Sequence, residues 1–133
     1  MKKSLCFILA LMLLLCSCGS QSERTETYFF HGISYAIPAT WSETEFDDNS
    51  VMYVSSDKIG IAVNIFFNPV EFEGEPIEYS GYNGVHYYTE DGYNTYAYYF
   101  EDGAGDPYSI QFTCINEPDE KIIHTILDSV NTH

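Results

Sequence analysis

Eight phenols fall within the twenty-one residues from Tyr79 to Tyr99 of this 133-residue chain. A tyrosine offers an aromatic body and a polar tip, so such a cluster suits contact with a glycan, peptide or protein surface better than it suits bond-making. Adjacent pairs such as Tyr87-Tyr88 and Tyr98-Tyr99 must point to opposite faces of a strand. One of each pair therefore lies away from whatever packs on the sheet, and Tyr88 and Tyr99 are the candidate binding surface. The competing use of the same residues is cross-strand packing of half-buried aromatics.

Carboxylates form the second group. Glu101, Asp102 and Asp106 alternate with Gly103 and Gly105, and Glu43, Glu45, Asp47 and Asp48 make a separate cluster. Calcium takes six to eight oxygen ligands, and such loops could donate several. Neither stretch has the spaced Asp/Asn ladder with a distal Glu, so solvated turns are expected, with a cation- or small-ligand-binding role as the alternative function. His31, His86, His124 and His133 are scattered and form no pair at zinc-ligand spacing. No Gly-x-Ser-x-Gly elbow occurs, and Cys114 falls in the alternating apolar set Tyr108, Ile110, Phe112, Cys114, where a buried inert thiol is expected. These absences predict a protein that is not an enzyme, with no catalytic residue, no cofactor and no bound metal.

The elements that position these residues begin at the N-terminus. Lys2 and Lys3 precede an unbroken apolar run from Leu5 to Leu15. As a helix it spans about 16 Å, too short for roughly 30 Å of hydrocarbon. A basic start, a short apolar middle and a small residue before the cut mark a secretory signal that is removed. Leu15, Ser17 and Cys18 make the ending specific: it resembles a bacterial lipoprotein signal peptide. That resemblance implies cleavage before Cys18, a diacylglycerol thioether on its sulfur, and a protein anchored in the cell membrane on the exported, extracytoplasmic side. Two or more acyl chains hold stably, since each buried methylene contributes about 0.8 kcal/mol. Residues 1–17 are then the signal peptide, 18–27 the lipidated cysteine with a flexible tether, and 28–133 one domain.

Beyond the leader, Arg24, Lys58 and Lys121 face all twenty carboxylates, a formal charge of −17. A field of that sign repels nucleic acid and anionic headgroups, so neither is expected as a partner. With Cys6 and Cys16 removed and Cys18 acylated, Cys114 is alone and no internal disulfide can form.

The domain reads mainly as strands. Thr27 to Phe30 and Ile33 to Ile37 flank the break His31-Gly32, and Trp41 follows Pro38 as an expected core plug. Val51 to Ser55 and Ile59 to Phe67 come next, the latter with strict alternation of Ile61, Val63, Ile65 and Phe67. Pro69 to Asn83 has no helical stripe, and Gly74 and Pro76 oppose a helix, so a connector with a short strand at Ile77 to Ser80 is expected. Val85 to Glu90, Thr95 to Glu101 and Tyr108 to Ile115 complete the strands. Ile122, Ile123, Ile126, Leu127 and Val130 then recur at helical spacing after Pro118, Asp119 and Glu120. The expected fold is α+β: a single antiparallel sheet of about six or seven strands with a C-terminal amphipathic helix on one face. Its core lies between that helix and Val63, Ile65, Ile110 and Phe112.

The opening "FFHGISYAIPATW" and the closing strand plus "IIHTILDSV" helix resemble small PsbP-like domains. The resemblance implies an antiparallel sheet packed by helices and a noncatalytic accessory or binding role, with an envelope protein or glycan as partner. It also implies a middle helix, which Pro69 to Asn83 lacks.

Overall fold

The computed structural model describes residues 24–55 and 60–133. The leader, Cys18 and the tether as far as residue 23 lie outside them. Among the described residues, ten strands and one helix follow in the order β1 (Thr25–Phe30), β2 (Ile33–Pro38), β3 (Ser42–Asp47), β4 (Ser50–Val54), β5 (Ile61–Phe67), β6 (Glu75–Tyr79), β7 (Tyr82–Tyr88), β8 (Asn94–Glu101), β9 (Pro107–Cys114), α1 (Glu120–Ser129) and β10 (Asn131–Thr132). The fold is α+β, but the expectation of a single sheet is corrected. Seven antiparallel strands pair in the order β3-β4-β5-β9-β8-β7-β6, and β1, β2 and β10 form a second sheet of three strands. The first hairpin separates because all six residues of β2 are buried or half-buried, with Ile33, Tyr35 and Ile37 in the core. It behaves as a packing layer, and its remaining ladder is closed by Asn131 and Thr132.

Helix α1 starts at Glu120, so that Pro118 and Asp119, expected in its first turn, precede it. Asp119 is the N-cap, accepting from the Ile122 N–H at 3.3 Å, which satisfies one of the free donors of the first turn. Its far end is tied down by Ser129, whose Oγ donates to the Ile126 carbonyl and accepts the Ala36 N–H at 2.8 Å. The helix and the first hairpin together cover one face of the large sheet. Val63, Ile65, Ile110 and Phe112 are fully buried there, as the alternation predicted, against Ile123, Ile126 and Leu127. Trp41 is buried in the same cluster.

Two polar staples join the layers. Tyr35 and Tyr53 share a buried hydrogen bond at 2.8 Å, and burial pushes the Tyr35 phenol far up from its ordinary pKa, so it stays protonated. The Tyr108 hydroxyl accepts the Gly32 N–H at 3.0 Å and donates to Asp102 Oδ2 at 3.1 Å. Tyr108→Phe leaves the Gly32 N–H in the hairpin turn without this acceptor. The expected cost is about 1–3 kcal/mol of unfolding free energy in urea titration, with the m-value unchanged.

The strand order explains the missing middle helix. β5 and β6 run parallel, separated by β9, β8 and β7, so residues 68–74 must cross the sheet diagonally. The distance is about 19 Å across and about 13 Å along, roughly 23 Å in all. An extended chain from residue 67 to residue 75 reaches roughly 26 Å, whereas a seven-residue helix covers about 10 Å. There is no slack in which to wind a helix. Both edges of the large sheet are guarded: β3 carries Glu43 and Asp47, and β6 carries Glu75, Pro76 and Glu78.

Several boundaries moved. Thr25 to Thr27, expected as tether, already pair with Ala36, Ile37 and Pro38. Glu43, Glu45 and Asp47, expected in a loop, lie on β3 opposite β4. Among the described residues no helix is long and apolar enough to cross a membrane.

Candidate functional site

The sheet register assigns every strand residue to a face. Val63, Phe112, Tyr96, His86 and Glu75 form one row toward the helix, and Ile65, Ile110, Tyr98, Gly84 and Ile77 form the next. The alternate rows look the other way. They read Val54-Ala62-Thr113-Thr95-Tyr87, then Met52-Asn64-Gln111-Ala97-Val85, then Ser50-Phe66-Ser109-Tyr99-Asn83. None of these residues is charged, in a chain with twenty carboxylates. The charges on this face lie at its margins: Glu78 on edge strand β6, Asp47 opposite Ser50 on edge strand β3, and Glu101 at the end of β8.

The same register splits the predicted tyrosine pair. Tyr99 lies on the uncharged face, but Tyr88 pairs with Asn94 and so with Cys114, on the helix side. Tyr88 and Tyr99 therefore do not form one surface. The alternation rule correctly separates neighbours, but it does not say which neighbour faces which way; Tyr87 is the residue that joins Tyr99. Tyr88 remains 65% exposed because it sits at the strand end, with its ring edge-on to His86 at 5.2 Å.

The connector crosses this uncharged face. The Phe72 ring stacks on Tyr87 at 5.1 Å, and its N–H donates to the Tyr99 hydroxyl at 2.9 Å. Tyr87 and Tyr99 are thus half-covered; Ser50, Ser109 and Gln111 are buried, Met52, Ala62, Asn64, Phe66 and Thr113 are half-buried, and Val54 is exposed. A cleft lies at each end of this part of the face. One, of about 370 Å³, is lined by Val54, Ala62, Thr113, Tyr93 and Ile115 among others. The other, of about 210 Å³, lies where the connector leaves the sheet, between Phe66, Val70 and Phe72, with Gln111, Ser50 and Asn49. Sequence reasoning missed Gln111. The available signal was its outward position in the alternation of β9, as the one long polar side chain among small ones.

The acidic groups are engaged within their own turns. Asp102 Oδ1 accepts the Ala104 and Asp106 N–H groups, each at 2.9 Å, and these bonds, led by that from Asp106, hold its carboxyl below the ordinary value. Asp47 Oδ1 accepts from the Asn49 N–H at 2.7 Å and from Ser50 Oγ. The histidines occupy four separate settings. His31 bonds the Asp48 carbonyl at 2.7 Å, and His86 Nε2 meets Asn94 Oδ1 at 3.0 Å. His124 stacks on Tyr79 at 3.8 Å, and His133 Nε2 lies 3.1 Å from Ser34 Oγ. Among the described residues no three His, Cys, Asp or Glu side chains gather where they could hold a metal ion. Cys114 is buried, its thiol pushed up to about 11, first by burial and then by the Asp119 carboxylate.

No protein-family model matches the chain. No curated protein matches it either. The fold is similar to a crystal structure from Bacteroides thetaiotaomicron VPI-5482, with a TM-score of 0.55 and 11% identity, over 85% of this chain and 49% of that one. At that identity the likeness shows the fold alone. This chain spans about half the length of that protein.

Proposed function

We infer that this chain is an exported lipoprotein, anchored at the outer surface of the cell membrane through acylated Cys18, whose domain is a noncatalytic, PsbP-like binding module. One observation carries the binding reading: the uncharged central rows of one sheet face in a mature chain of formal charge −17. Depletion of charge, together with apolar clefts and aromatic side chains, is the composition of an interface core. The carboxylates outside it keep the remaining surface soluble and repel nucleic acid. The two-layer packing of sheet against helix and hairpin supports the PsbP-like comparison. The extended connector in place of a middle helix makes it a reduced version. The partner is an envelope protein or glycan.

The test compares three forms of the full tagged chain, recovered from host envelope extract after gentle cross-linking. Val54→Glu with Ile115→Glu places charge on the open face, where both residues are exposed. This form loses a partner that the parent chain and Tyr88→Ser both retain. If the charged form keeps every partner while melting as the parent does, the open face is not the binding surface.

A further inference from the structure

Gln111 is 6% exposed, lines the smaller cleft, and has no hydrogen-bond partner for its side chain among the described residues. Asn64, directly across the ladder, likewise has none. A primary amide carries two donors and one acceptor, and a ligand seated in the cleft can meet those that the described residues leave free. Phe66, Val70 and Phe72 form the apolar part of the cleft wall and Asn49, Ser50 and Asn68 the polar part, none of them bonded to the Gln111 side chain. The cleft thus presents an amide donor and acceptor side by side on a residue held in the sheet, with an aromatic and aliphatic wall on one side.

We propose that this cleft binds the acetamido group of an N-acetylated amino sugar. An acetamido group offers a carbonyl acceptor and an N–H donor on neighbouring atoms, complementary to the Gln111 amide, and a methyl group for the apolar wall. The exposed C–H face of the sugar ring packs on Phe72, which is 42% exposed. The volume of about 210 Å³ suits one such unit and falls below that of a site for a larger ligand. Asp47 at the rim and the overall charge oppose an anionic ligand. An extended peptide would gain most from an open sheet edge, and both edges of this sheet carry carboxylates. The inference rests on the binding-module reading for its choice of face, and it names the ligand class.

The experiment titrates the full chain, in mild detergent, with N,N′-diacetylchitobiose, with cellobiose, and with an N-acetylated dipeptide amide. Cellobiose has the same rings and linkage with hydroxyls in place of acetamido groups. The diacetyl sugar is expected to move the Gln111 side-chain amide resonances saturably and to raise the melting midpoint; cellobiose does neither. Gln111→Leu weakens that binding by roughly tenfold or more, the worth of one or two hydrogen bonds. Phe72→Ser, on the connector outside the strands, weakens it as well and covers the case in which the Gln111 variant folds poorly. The proposal is overturned by any of four results: no saturable change with the diacetyl sugar, equal response to cellobiose, tighter binding of the dipeptide, or unaltered binding by both variants. Loss of a protein partner in the Val54/Ile115 form, with sugar binding intact, concerns the docking face and leaves this cleft standing.

Discussion

Phe112→Ala is expected to lower the unfolding free energy by about 3–5 kcal/mol, the usual cost of removing a buried phenyl ring and leaving its cavity. Against a total of roughly 5–15 kcal/mol for a domain of this size, that is a large fraction of the stability. Phe112 is fully buried at the middle of β9, between Val63 and Tyr96 in the ladder, with its ring edge-on to Tyr98 at 6.2 Å. β9 is also the central strand of the large sheet, with three strands on either side. Collapse of the cavity would have to shift strands on both sides as well as α1, so little relaxation is available. Urea unfolding followed by the fluorescence of buried Trp41 measures the change. A loss below about 1 kcal/mol would mean that the layers are not packed as described.

Cys18→Ala is expected to abolish lipid attachment. Without the thiol no thioether forms, and the chain is either released into the soluble exported fraction or left as an uncut precursor. Fractionation with intact-mass measurement distinguishes the two. A single acyl chain gives only marginal attachment of about 10⁴ M⁻¹, and with no chain at all the acidic domain is repelled by anionic lipid. If the variant is processed and still membrane-bound, the lipoprotein reading fails.

Period-two alternation made most of the large sheet readable. Ile61, Val63 and Ile65 on β5, and Ile110, Phe112 and Cys114 on β9, announced both their strands and the face they bury. The helix was equally plain, because its apolar spacing changed to the helical period after Pro118 and Asp119. Two strands escaped. β3 carries Ser42, Glu43, Thr44, Glu45, Phe46 and Asp47, and as an exposed edge strand it has little need for the apolar alternation that marks a buried one. β10 is two residues long and exists because its partner β2 passes beside the end of α1. The candidate site was less legible. Alternation separates Tyr87 from Tyr88 and Tyr98 from Tyr99 without fixing which of each pair faces away from the helix, and no local pattern marks Gln111 apart from other polar strand residues.

By itself, then, the sequence determined the short-range quantities: strand and helix periods, the helix start near Pro118 to Glu120, the buried apolar set and the charge. Each depends on residues within a few positions of one another, or on composition. The tertiary structure decided what depends on pairing between distant segments. The strand order sends residues 68–74 across the sheet and leaves no length for a helix. The ladder from Cys114 through Asn94 to Tyr88 sets which tyrosine faces the open side, since a shift of one residue would reverse every side chain. The packing of the first hairpin makes two sheets of one, and the pairing of Asn64 with Gln111 gathers two amides from positions forty-seven residues apart.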